Sequence, residues 1–135
     1  MKSDPEPGTP TQSPVRQFHL RDRASSFRYA AAGLARMVRT QHNARIHLAA
    51  TILVVIAGGL CGLKSADWLW LSTAITLVWI TEAFNTAIEL LGDAVTTEIN
   101  PLIGHAKDAS AAAVLIAAVS SVVIGLFVFV PYLSS

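Results

Sequence analysis

The chain has 135 residues, 53% of them hydrophobic and only 14% charged, whereas soluble domains carry about a quarter charged residues. This leaves room for one domain whose solvent is a bilayer rather than water. The formal net charge of +1 gives no basic footprint for nucleic acid. The single cysteine, Cys61, excludes both an internal disulfide and a thiolate metal site, and is expected to be a packing residue.

Residues 1 to 24 place Pro5, Pro7, Pro10 and Pro14 among Ser, Thr and Gln. Such a composition buries too little apolar surface to offset the entropy of ordering, so a disordered tail is expected. The segment lacks an apolar core with a small-residue cleavage site and does not read as a signal peptide.

From Ser25 or Ser26, either a candidate cap, Phe27, Ala31, Leu34 and Val38 recur at helical spacing. Arg28, Arg36 and Arg39 project from another face. This pattern predicts an amphipathic helix over about 25–44 that lies in the anionic headgroup plane. A helix packed on a soluble partner fits the same pattern.

Three apolar segments follow, at about 46–63, 68–91 and 109–133. The first holds His47 as its one ionisable group, the second holds Glu82 and Glu89, and the third holds no charge. Each approaches or exceeds the roughly 18 to 20 residues a spanning helix needs. The first, interrupted by Gly58, Gly59 and Gly62, is expected to draw on flanking residues to cross. The fold class is therefore all-α and integral to the membrane, a surface helix plus three spans.

Eight of the ten Lys and Arg residues lie at or before Arg45. The positive-inside bias then puts the N-terminus and the 92–108 link in the cytoplasm, and the 64–67 link and the C-terminus outside. Trp68, Trp70 and Tyr132 suit an aromatic belt on the external side. Three spans without an internal repeat do not make the paired halves of a typical transporter.

The chemistry concentrates in Glu82-Ala83-Phe84-Asn85-Thr86-Ala87-Ile88-Glu89 and in Asp93. At 100° per residue, Glu82, Asn85, Glu89 and Asp93 fall within about 80° of one helix face. Carboxylates at membrane depth cost roughly 2.5 to 3.5 kcal/mol each on insertion scales and normally face a bundle interior with a task. Catalysis, a proton or ion pathway, and hydrogen bonding to neighbouring helices all accept such a stripe. A second polar cluster, Glu98, Asn100, Lys107 and Asp108, stands in or beside the cytoplasmic link. Lys107 and Asp108 could supply a phosphate-binding charge and an acceptor, or Asp108 could simply cap the third span.

No G-x-x-x-x-G-K-[ST] loop and no kinase-type Gly-rich loop is encoded, so a nucleotide would have to be held by helix side chains. His42 and His47, five residues apart, fall on different faces of a helix and make a poor metal site. They read as interfacial polar residues.

At these residues the sequence resembles the prokaryotic diacylglycerol kinase family, which includes undecaprenol kinases. The resembling region runs from Phe27 to about Val130. Its most specific parts are the Glu82–Glu89 stripe and Ala106-Lys107-Asp108-Ala109-Ser110-Ala111-Ala112-Ala113-Val114-Leu115. The resemblance implies a membrane lipid kinase domain over 25–135. It also implies a homotrimeric bundle in the inner membrane, with cytoplasmic-side active sites shared between protomers and Mg2+-bound ATP as co-substrate. By position it implies Glu82 as the catalytic base and Glu89 as a metal ligand. Tyr29, Asn85, Asp93, Glu98, Asn100, Lys107 and Asp108 match positions that surround the nucleotide or support the site. The family's second metal-binding glutamate is matched here by Gln41, which can bind magnesium but brings no negative charge. The expected activity is transfer of the ATP γ-phosphoryl group to diacylglycerol, or alternatively to undecaprenol. A small oligomeric ion or proton conductor is the rival from another class.

Overall fold

The structure is a computed structural model that describes residues 20–133. It contains four helices in chain order, α1 (Leu20–Thr40), α2 (His42–Cys61), α3 (Ser65–Val95) and α4 (Pro101–Leu133). The expected tail lies outside the described residues as far as residue 19. Beyond it the chain is helical from Leu20, five residues ahead of Ser25, because Leu20-Arg21-Asp22-Arg23-Ala24 contains no helix breaker.

The first helix ends at Thr40 rather than near residue 44, and α2 begins at His42 rather than Ile46. Gln41 supplies the break with an extended backbone at φ −95°, ψ 125°. Arg45 stabilises it by turning back. Its guanidinium donates to the Val38 carbonyl at 3.1 Å and to the Arg39 carbonyl, two acceptors the end of α1 leaves unpaired.

The glycines of the first span mark its end rather than an interruption. Gly62 adopts the left-handed region at φ 64°, ψ 42°, which only glycine enters without strain. The Leu63 amide then reaches the Gly58 carbonyl at 3.2 Å and the Gly62 amide the Gly59 carbonyl at 3.3 Å. This pair of bonds closes α2 at Cys61 in a Schellman turn.

The second span, α3, is longer at both ends than 68–91, and α4 starts eight residues before 109. Asp67 accepts the Lys64 amide at 3.3 Å at the head of α3. Asn100 accepts the Leu102 amide at 3.0 Å at the head of α4, with Pro101 in the first helical position, where a missing N–H costs nothing. The link between α3 and α4 shrinks to residues 96–100. Lys107 and Asp108 therefore lie within α4, and Asp108 does not cap it.

α3 and α4 form a long antiparallel hairpin, with α2 lying along α3. Small buried residues, Ala74, Ala117 and Ser110, let the backbones approach. The Ser121 hydroxyl lies 2.8 Å from the Ala117 carbonyl and 3.2 Å from the Ala74 carbonyl across the hairpin. At one end Leu63, Leu71 and Val128 form the apolar core, with Trp68, Phe129 and Tyr132 against them. α2, α3 and α4 are each long and apolar enough to cross a membrane. Their outer faces carry Leu53, Leu60, Phe84 and Phe127, the last 79% exposed. An apolar surface this extensive belongs in lipid or against further protein.

The core end is fastened by one polar knot. The Tyr132 hydroxyl donates to the Asp67 carboxylate at 2.6 Å and lies 3.3 Å from the Lys64 amide, joining the tail of α4 to the head of α3. Tyr132→Phe keeps the ring and removes this tie. Faster hydrogen exchange at the Lys64 amide and a lower thermal midpoint in detergent are expected, and an unchanged exchange rate would show that the knot does not hold this end.

Candidate active site

The polar stripe of α3 lies at the opposite end of the bundle from the apolar core. Helical periodicity turns Glu82, Asn85, Glu89 and Asp93 toward α2 and α4. Glu82 is 1% exposed, the most deeply buried large side chain of the described residues. Its Oε2 and the hydroxyl of Thr86, one turn on, are buried without a hydrogen-bond partner. His47 of α2 stands beside it, with Nε2 3.9 Å from Glu82 Oε2.

Asn85 is held from both sides. Its carbonyl oxygen accepts the Ser110 hydroxyl of α4 at 2.7 Å, and its amide donates to Glu89 Oε1 at 3.1 Å. Because a carboxylate only accepts, Asn85 must turn its N–H to Glu89, which leaves its carbonyl oxygen for the Ser110 hydroxyl, itself 2.8 Å from the Lys107 carbonyl. Glu89, Asn85, His47 and Asn43 line a cleft of about 270 Å³ between α2 and the α3–α4 hairpin. One side of the cleft is apolar, with Val114 and Leu115.

Further toward the link, Lys107 Nζ pairs with Asp93 Oδ1 at 2.6 Å. The contact depends on Gly92, where a Cβ would come within 2.8 Å of Ile103 Cγ2 and 2.9 Å of Lys107 Cε. A glycine on α3 thus lets the lysine stem cross its surface. The pair is substantially exposed, so its contribution to stability is small and its lysine can exchange partners.

Other expected site residues stand apart. Tyr29 on α1 is 67% exposed, with the Arg28 guanidinium 5.6 Å from its ring centroid. Glu98 and Asp108 are exposed, and Asn100 serves as the cap of α4. Gln41 sits half-buried in the α1–α2 break, while Asn43, two residues on, lines the cleft.

Three residues in or beside the cleft are not site candidates in the sequence: His47, which reads there as an interfacial polar residue, Asn43 and Ser110. The first two carried a readable signal, because Asn43 and His47 are four apart on one helix face and His47 is the one ionisable group of its span. Ser110 carried none, since its role depends on how α4 meets α3.

Among the described residues no three His, Cys, Asp or Glu side chains converge as a ready-made metal site. The cleft nevertheless offers a hard oxygen donor in Glu89, and Glu82 beside it has a buried unpaired carboxylate oxygen. This suits a magnesium ion that takes one or two carboxylates and completes its shell with substrate phosphates.

Comparison with known proteins covers the same helices. The model of the family described as prokaryotic diacylglycerol kinase matches residues 28–129. A protein named undecaprenol kinase from Bacillus subtilis (strain 168) is 40% identical over 108 residues, 80% of this chain and 88% of the relative. A protein named diacylglycerol kinase from Synechocystis sp. (strain ATCC 27184 / PCC 6803 / Kazusa) is 39% identical over 111 residues, 82% of this chain and 63% of the relative.

Ser110→Ala would leave the buried Asn85 carbonyl oxygen without its donor, at a cost of about 1 to 3 kcal/mol. A lower midpoint for unfolding in detergent is the expected result. An unchanged midpoint would mean that Asn85 is anchored by something other than Ser110.

Proposed function

The chain belongs to the prokaryotic diacylglycerol kinase family, membrane lipid kinases that take their phosphoryl group from ATP, and we propose that its α3 stripe is the catalytic centre. Glu82 is the general base that takes the proton from the lipid hydroxyl as that oxygen attacks the γ-phosphorus and ADP leaves. The observation that supports this most is the burial of Glu82 with one carboxylate oxygen unpaired beside an open cleft. A purely structural carboxylate would be expected to have both oxygens satisfied.

Phosphoryl transfer asks mainly for positioning and charge stabilisation. In this reading Asn85, locked by Ser110, orients Glu89. Lys107 exchanges Asp93 for a phosphate oxygen, while Asp93, Glu98, Asn100, Asp108 and Tyr29 border the nucleotide. Glu89 and Gln41 are the side chains that would hold magnesium, which supplies charge neutralisation on the phosphates. The basic residues ahead of α2, with Lys107, support a cytoplasmic site at an inner membrane. Their arginines also support α1 as an amphipathic surface helix. A homotrimer with sites between protomers would shelter the half-exposed Glu89 side of the cleft from lipid.

The proposed acceptor is diacylglycerol. A second acceptor, undecaprenol, is favoured by the fuller coverage of the relative that bears that name, 88% of its length against 63%.

Two experiments test this reading. Glu82→Gln preserves volume and hydrogen bonding but removes the base, and a general base contributes about 10² to 10⁴-fold. Phosphorylation of either alcohol should fall at least about a hundredfold with assembly intact, and a loss of only a few-fold would remove Glu82 from the role. Gln41→Glu should lower the magnesium concentration for half-maximal activity and Gln41→Leu should raise it, because ligand charge sets much of a hard cation's affinity. If both variants titrate like the parent, Gln41 is not at the metal.

A further inference from the structure

The general base, if Glu82 fills that role, needs its second oxygen held. A bond to one carboxylate oxygen fixes the side-chain torsions and so aims the other at the proton it takes, and the burial of Glu82 leaves few groups able to make that bond. We propose that His47 is the positioning residue of Glu82, donating Nε2–H to Oε2 so that the other oxygen faces the lipid hydroxyl.

The geometry points to His47 in three ways. First, Oε2 is buried without a hydrogen-bond partner, and His47 Nε2 stands 3.9 Å away. A movement of about 1 Å brings that separation into the hydrogen-bonding range. Catalytic hydrogen bonds are often long before substrate binds and tighten in the complex. Second, His47 lines the cleft, with its side chain 17% exposed. The imidazole thus bridges a buried carboxylate and an open site.

Third, the turn of α2 that carries His47 is fixed to α3 independently of Glu82. The Trp79 indole N–H donates to the Thr51 hydroxyl at 3.1 Å, and that hydroxyl donates to the His47 carbonyl at 2.7 Å. Trp79 lies three residues before Glu82, and Thr51 four after His47. The same two helical turns that meet at Trp79 and Thr51 therefore meet again at Glu82 and His47. The register between α2 and α3 is set next to the base, and the imidazole arrives with its height along Glu82 already chosen.

The role differs from a ligand to nucleotide or metal. His47 acts through Glu82, so its loss should lower turnover and leave ATP binding in place. This inference rests on the kinase reading for its catalytic meaning, while the contact between the two side chains can be read without turnover.

The test uses the full chain in detergent micelles with ¹⁵N-labelled histidine. The ring-nitrogen signals of His47, identified by their loss in His47→Gln, should shift in Glu82→Gln and stay in place in Asp67→Asn at the far end of the bundle. In steady-state assays His47→Leu should lower kcat about 10- to 100-fold, the value of one hydrogen bond to a charged group, with KM for ATP within about twofold of the parent. His47→Gln, which offers an N–H at a similar reach, should recover most of the lost turnover. Ring signals indifferent to Glu82→Gln would overturn the proposal, as would a raised KM for ATP with kcat intact. Should the parent protein phosphorylate no lipid alcohol, the kinase reading falls by itself, and the nitrogen signals still decide whether His47 holds Glu82.

Discussion

The burial of the Glu82 carboxylate in an apolar helix is the constraint on which the rest of this structure depends. An acid at that depth is tolerated only if protein surrounds it and polar groups answer it. Most of what is unusual in the bundle stands near this residue. α2 brings His47 within 3.9 Å, α4 brings Ser110 to Asn85, and Trp79 and Thr51 join α2 to α3 one turn away. Between this site and the Leu63–Leu71–Val128 core, Ala74 and Ala117 bring α3 and α4 together, and many of the large apolar side chains of the spans face outward.

The two ends of the bundle divide the work of holding and acting. At one end Asp67, Tyr132 and the Lys64 amide close a tight knot over an apolar core. At the other the ties are a partly exposed ion pair and a bidirectional amide, contacts that a phosphate or a metal can replace without unfolding a helix. Local stability is expected to fall toward the cleft, where binding requires groups to change partners. Gly92 makes the room for this end, since it lets the Lys107 stem cross α3 to reach Asp93.

The membrane class, the three spans and the α3 stripe were legible in the sequence because each rests on a one-dimensional signal: hydropathy, segment length or a 3.6-residue period. Helix ends were less so. The Gly58, Gly59 and Gly62 set looked like an interruption until the Gly62 turn showed it to be a stop. At the Gln41 break Arg45 folds back six and seven residues to the Arg39 and Val38 carbonyls, which no local pattern announces. Asn100-Pro101 is a readable helix start, but the charges at Lys107 and Asp108 drew the boundary eight residues too late. Within the site, the Glu82–Glu89 spacing was visible, whereas the pairing of Ser110 with Asn85 exists only once α3 and α4 have met.

A conductor and a kinase would both place acids inside a bundle, and they differ in what they do with ATP. The Lys107–Asp93 pair beside the stripe favours the kinase, because a conductor gains little from a lysine poised at the membrane edge. The most direct measurement incubates the purified full chain in mixed micelles with γ-labelled ATP and, in separate reactions, diacylglycerol and undecaprenol. Our account predicts label in an organic-extractable lipid monophosphate with at least one alcohol. Label confined to the aqueous phase with both, alongside Glu82-dependent proton flux in vesicles, would contradict it.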